Sequence, residues 1–174
     1  TQFYSENAQK TEWFGRVIND NAMERLAALV DASKAQVVHG GRYDKSDKFL
    51  EPTLIDYGTN LDAFDAAPAM QDEIFGPILP MGRFTDLERD VIQRVRRLPT
   101  GKPLALYLFA DDKAVQEEVL RRTSSGGVCV NDCLMHLVSP ETPFGGVGNS
   151  GMGSYHGYKS FLTFSHSKST VKKY

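Results

Sequence analysis

The stretch Leu104 to Ala110, LALYLFA, is a nearly continuous apolar run. A run this short, with no polar alternation, reads as a strand buried on both faces. Its neighbours restrict the topology further. Ile78 to Phe84 reads as a strand. Thr85 and Glu88 form a capping box, and Leu87, Val91, Val95 and Leu98 then share one helical face that Pro99 ends. After the apolar run, Asp111 and Asp112 suit a helix start, and Arg121 and Arg122 suit its last turn. Gly126-Gly127 punctuates, and Val128 to Val130 is the next strand. Strand, helix, strand, helix, strand predicts parallel strands joined by right-handed crossovers: an α/β fold, a parallel sheet with flanking helices. Ligands of such sheets gather at the carboxyl ends of the strands, so the segment after Val130 is where chemistry is expected.

The flanks are less regular. Asn21 and Glu24 suit an N-cap and capping-box glutamate, with Met23, Leu26, Ala27 and Val30 on one apolar face. Gln36 to His39 reads as a short strand stopped by Gly40-Gly41. Phe49 to Tyr57 reads as extended, with Pro52 arguing for an edge or irregular position. Leu134 to Gly157 reads as loop, and Ser160 to Tyr174 as one more strand with a lysine-rich end. The 20 basic and 22 acidic side chains give a net charge of −2, no basis for expecting a nucleic-acid or anionic-membrane partner. No apolar run approaches the ~18 residues of a spanning helix. No signal-peptide pattern opens the chain. Two cysteines are too few for a secreted disulfide framework, so a reducing, cytoplasmic setting is expected.

Several motifs bear on chemistry. Gly146 to Gly151, GVGNSG, satisfies G-x-G-x-x-G but lacks the strand before it and the βαβ context a dinucleotide fingerprint requires. A tight glycine loop is the better reading. Cys129, Cys133 and His136 suggest a thiol–imidazole pair or a metal site. A zinc site needs three or four ligands, and nothing else is spaced to complete one. Cys129, inside VCV, reads as a small buried hydrophobe. Cys133 with His136 would instead make a hydrolase-type nucleophile. Glu73 and Phe75, in QDEIFGP, read from spacing as an acidic surface turn. Read as a pair, they offer a carboxylate for two ribose hydroxyls and a ring to pack on the sugar. Tyr155 and His156 follow the glycine loop and are surface residues or polar groups on a pocket wall.

Longer phrases carry a family resemblance. DEIFGP at 72–77, SSGGVCVND at 124–132 and PFGGVGNSGMGSYHGYKSF at 143–161 resemble the aldehyde dehydrogenase superfamily, the latter two its class 3 branch. Fainter similarity reaches FGRVIND at 14–20 and FSHSK at 164–168. That family oxidises aldehydes to carboxylates with NAD or NADP. A cysteine thiolate attacks the carbonyl, hydride passes to the nicotinamide, and a glutamate activates the water that hydrolyses the thioester.

The resemblance assigns Glu73 to the nicotinamide-ribose hydroxyls and Phe75 to the ring beside that ribose. It places Asn131, Leu134, Leu137, Val138, Phe144, Tyr155 and His156 on the wall of the aldehyde entrance. No residue here matches the family's nucleophile, general base or glycine-containing cofactor motif, which lie upstream of the matched segment. The resemblance therefore implies a C-terminal portion of such an enzyme, inactive alone and completed by a missing N-terminal part. Residues 1–159 would be a partial catalytic domain and 160–174 a C-terminal oligomerisation strand, with Ser165 to Tyr174 docking on a second subunit of a homodimer. The competing expectation is a non-enzymatic interaction module, in which unpaired sheet edges serve as templates for association.

Overall fold

The first helix begins two residues earlier than the Asn21–Glu24 pair suggests. Asn19 accepts a hydrogen bond from the Ala22 amide at 2.9 Å and opens α1, Asp20–Ala32. Glu24 instead pairs with Lys45 Nζ at 2.6 Å. The helical phase is as expected: Met23, Leu26, Ala27 and Val30 are all buried. A computed structural model describes Phe3, Tyr4 and residues 6–174 and divides the chain into two units, residues 1–90 and 91–174.

In the first unit, β1 (Val37–His39) runs antiparallel to β4 (Thr53–Asp56), which runs parallel to β5 (Ile78–Met81). Between them in sequence, β2 (Tyr43–Asp44) and β3 (Phe49–Leu50) form an antiparallel pair. Pro52 falls between β3 and β4, outside both, whereas Pro80 is accommodated within β5 opposite Ile55. A short helix, α2 (Leu61–Ala66), is capped by Asn60, whose side chain accepts from the Ala63 amide. The apolar face of α1 packs with Leu50, Ile55 and Ile78 into the core. Leu26 and Ile55 are fully buried in it.

The strand expected from Ile78 to Phe84 stops at Met81, and the chain turns as the Arg83 amide donates to Gly58 O at 2.7 Å. At the expected Thr85–Glu88 capping position it is Asp90 that caps, its Oδ2 accepting from the Thr85 amide, the Thr85 hydroxyl and the Asp86 amide at 3.1–3.3 Å. Leu87–Ile92 winds as a π-helical turn that brings the Asp90 carboxylate back over these donors, and α3 (Gln93–Arg96) continues it. The Arg89 guanidinium, 2.7 Å from Asp90 Oδ1, together with the Thr85 and Asp86 amides holds this carboxyl far below the usual carboxylate range.

In the second unit, β6 (Ala105–Leu108) runs parallel to β7 (Gly127–Val130). The intervening helix α4 (Lys113–Arg122) is capped by Asp112, which accepts from the Ala114 amide at 2.7 Å. Its last-turn arginines pair with Glu118, Arg122 at 2.8 Å. The two parallel pairs, β4–β5 and β6–β7, thus accord with an α/β class, although β1–β4 and β2–β3 are antiparallel. Among the described residues β6 pairs only with β7, and the two-sided burial expected of Leu104 to Ala110 is not seen, Phe109 being 65% exposed.

Two short helices interrupt the expected loop and tail: α5 (Met135–Val138) and α6 (Gly157–Thr163). Ser160 to Thr163 are therefore helical, and residues 164–174 carry no strand, since a strand exists only against a partner edge. Among the described residues no helix is long and apolar enough to cross a membrane.

A carboxyl group held low when folded stabilises the fold above its unfolded value, about 3.9, and withdraws that support as pH falls toward the folded value. Asp90→Asn is expected to lower the denaturation midpoint at neutral pH and to flatten its loss between about pH 5 and pH 2.5. Denaturant titrations of both proteins across that range measure the difference; parallel curves would refute the assignment.

Candidate functional site

The turn 71–77 is built by contacts that leave two side chains outside. Gln71 Nε2 donates to Asp65 O at 2.6 Å, Asp72 Oδ1 accepts from the Glu73 amide, and Arg25 Nη2 donates to Ile74 O at 2.7 Å. Pro77 O accepts from the Thr53 amide at 2.8 Å, stitching the turn to the start of β4. Ile74 packs against the core, and Glu73 and Phe75 face out. Phe75 adopts φ 48°, a left-handed conformation rare for a bulky side chain. The residue is 78% exposed. The Glu73 carboxylate meets no hydrogen-bonding or ionic partner among the described residues.

Gly76 explains the geometry. A Cβ there would sit 2.5 Å from Leu26 Cδ2 and 2.6 Å from Leu26 Cδ1, so the backbone lies directly on the core of α1. Beside Phe75 is a cavity of about 340 Å³ lined by Phe14, Val17, Ile18, Leu50 and Arg16. Arg16 is already committed: it donates to Phe14 O and Gln9 O, pairs with Asp47 at 3.0 Å, and lies 5.3 Å from the Phe49 ring centre. The cavity is therefore effectively apolar. Sequence reasoning did not place residues 14–18 in a site; the only available signal was the fainter family phrase FGRVIND.

The second unit gathers a chain of rings. Tyr107 meets His136 edge-on at 5.6 Å, His136 meets Phe144 at 5.8 Å, and Phe144 stacks on His156 at 6.2 Å. Phe144 and Tyr155 exchange both backbone hydrogen bonds, at 2.9 and 3.0 Å. His156, at φ 88°, is held through its amide by the Ser160 hydroxyl at 2.8 Å. Of the expected wall residues, Phe144, Tyr155 and His156 thus come together. Leu134, Leu137 and Val138 lie on or beside α5 with exposed apolar surface. Asn131 has a fixed structural task, its amide accepting from the Ala110 N–H at 2.9 Å and donating to the Ala110 carbonyl at 3.1 Å.

His136 and Cys129 joined this cluster without being expected in it. Cys129 Sγ lies 3.1 Å from His136 Nδ1 and accepts from the His136 amide at 3.2 Å. The thiol–imidazole pair is therefore Cys129–His136, and Cys133 is exposed. Cys129 is buried as expected but is also hydrogen-bonded, which the simple apolar reading omitted. Among the described residues no group of three or more potential ligands is placed to hold a metal. The G-x-G-x-x-G run is a tight loop with a 3₁₀ turn at Gly148–Ser150. A Cβ on Gly146 would lie 2.0 Å from Ser150 O, so glycine is a packing requirement there.

The profile of the aldehyde dehydrogenase family matches residues 4–170. The chain belongs to that family. It is 44% identical, over 98% of its length, to the dimeric NADP-preferring aldehyde dehydrogenase of Rattus norvegicus, of which it covers 36%. The substrate-bound structure of Staphylococcus aureus AldH superimposes on 99% of the chain with a TM-score of 0.85 at 41% identity, 37% of that protein being covered. An indole-3-acetaldehyde dehydrogenase complexed with NAD+ superimposes on 90% of it, TM-score 0.76 at 26% identity, with 31% covered. The chain thus spans about a third of the length of these aldehyde dehydrogenases.

Because Leu26 is fully buried, it has little room to yield to a methyl group at position 76. Gly76→Ala is expected to destabilise the first unit by about 1–3 kcal/mol, the usual cost of overpacking. Chemical denaturation measures it, and a variant as stable as the parent would refute this account of the turn.

Proposed function

We propose that this chain supplies part of the catalytic domain of an NAD(P)-dependent aldehyde dehydrogenase that oxidises aldehydes to carboxylates. The observation that carries the reading is the Glu73–Phe75 turn. A carboxylate without a partner and a bare aromatic ring stand two residues apart, on backbone fixed from behind by Gly76. This arrangement fits a nicotinamide ribose. Glu73 would accept hydrogen bonds from the two ribose hydroxyls, a charge-assisted contact, and Phe75 would pack beside the sugar. When bound, the oxidised nicotinamide is the hydride acceptor of the reaction.

The chain's own contribution is binding and orientation. Glu73 and Phe75 restrict where the cofactor's reactive end can lie, and positioning of this kind carries a large share of catalytic rate. Leu134, Leu137, Val138, Phe144, Tyr155 and His156 would form the wall met by the aldehyde, and their largely apolar character suits medium-chain or aromatic substrates. The residues that attack the carbonyl and activate water belong to the rest of the protein, so the 174-residue chain alone is inactive. Residues 165–174 would pair as a strand with a second subunit in a cytoplasmic homodimer.

The full-length protein is expected to form NADH or NADPH from a medium-chain aldehyde, and this chain alone to form none until the N-terminal portion is supplied. Glu73→Gln should lower kcat/KM for the cofactor about ten-fold or more, matching loss of a charge-assisted hydrogen bond. Full-length protein that oxidises no aldehyde, or a Glu73→Gln variant kinetically identical to the parent, would sink the proposal.

A further inference from the structure

Cys129 lies on β7, 7% exposed, in a position that the proposed chemistry leaves unused. Its sulfur makes two contacts with one residue: the His136 amide at 3.2 Å and the His136 Nδ1 at 3.1 Å. The first fixes the backbone at the start of α5, the second the imidazole. The ring is confined further by Tyr107 and Phe144, and by Gly127, where a Cβ would lie 2.6 Å from His136 Cδ2.

This tether matters because α5 cannot hold itself in place. Four residues are far below the length at which a helix is stable by its own hydrogen bonds. It has no side-chain N-cap, and the residue entering it, Leu134, is held at φ 64°, costly for a residue of this kind. The remaining backbone bonds of α5 run within the segment, from Leu137 and Val138 to Leu134 and from Ser139 to Met135.

The geometry also bears on the role of the thiol. His136 Nε2 is buried and has no hydrogen-bonding partner among the described residues. Two contacts from one sulfur to the backbone and ring of one residue suit a thiol that holds position.

We propose that Cys129 is a positioning residue. By holding His136 it sets α5, and with it the placement of Leu137 and Val138 at the aldehyde entrance, so that it governs the preference for long or ring-bearing aldehydes. The consequence for substrates rests on the dehydrogenase reading above; the tether itself does not.

The test uses Cys129→Ala, Cys129→Ser and, as a control at the exposed thiol, Cys133→Ala. In the full-length protein, Cys129→Ala is expected to raise KM for octanal about ten-fold with kcat within about two-fold, the scale of losing one apolar contact surface. Cys129→Ser, which retains a hydroxyl donor and acceptor, recovers most of that loss, and Cys133→Ala changes neither parameter. In the 174-residue chain, Cys129→Ala should move the methyl resonances of Leu137 and Val138 and the ring resonances of His136, while Cys133→Ala leaves them in place. Unmoved resonances would overturn the tether whatever the activity. Moved resonances with an unchanged octanal KM would overturn its effect on substrate preference. Moved resonances in a protein whose wild-type full-length form oxidises no aldehyde would overturn the dehydrogenase reading and uphold the tether.

Discussion

The first unit depends on one close approach, the backbone of Gly76 against the side chain of Leu26. Leu26 is fixed because Asn19 caps α1 and so sets which residues face the core. Gly76 then admits the turn onto that core, and Arg25 and Thr53 bind its carbonyls from either side. With the backbone held, alternation does the rest: Ile74 points in, and Glu73 and Phe75 point out. The exposure of a large aromatic ring at φ 48° is therefore imposed by packing behind it. A core contact on α1 is in this way translated into the orientation of two candidate ligand-binding groups.

The second unit applies the same device. Gly127 clears space for His136, and Gly146 clears space for the Ser150 carbonyl, so that loops close on each other without side chains between them. Around this framework Asn131, Leu134 and His156 all take positive φ. Such conformations persist only where surrounding contacts outweigh their cost. Here the contacts are visible: Ala110 holds the Asn131 amide, Cys129 holds His136 just beyond Leu134, and the Ser160 hydroxyl holds the His156 amide. The strained positions follow the end of β7, where a parallel strand pair delivers its functional loops.

Elements with strong periodicity were legible in the sequence. The apolar face of α1, the cap at Asp112 and the strand at Val128 to Val130 all appear in the structure. Elements set by distant partners were not. A glutamate at position 24 satisfies the capping-box pattern, yet a lysine on β2's turn takes it. Thr85 and Glu88 satisfy it too, yet Asp90 offers Thr85 a carboxylate backed by Arg89. Local pattern counts only partners nearby in sequence, whereas each of these outcomes depends on geometry that winding or tertiary packing supplies. The candidate site was reached from the sequence in another way. Glu73 and Phe75 gave no signal by spacing, and only the long family phrases singled them out. Cys129–His136 was missed as a pair because residues seven apart meet only once β7 has ended and α5 has turned back.

The composition of the cavity beside Phe75 narrows what that turn can recognise. Arg16 is the one charged residue among its lining residues, and its guanidinium is spent on three carbonyls and Asp47. A phosphate placed there would meet no uncommitted cation among them, and the same turn carries the exposed negative charge of Glu73, an unfavourable setting for an anion. A neutral diol has the opposite relation to the same groups: its hydroxyls donate to the carboxylate, and its apolar face lies against the ring. On the reading proposed above, the turn would take the sugar end of a dinucleotide rather than its charged linkage. That selectivity would arise because folding consumes the arginine and leaves the carboxylate exposed.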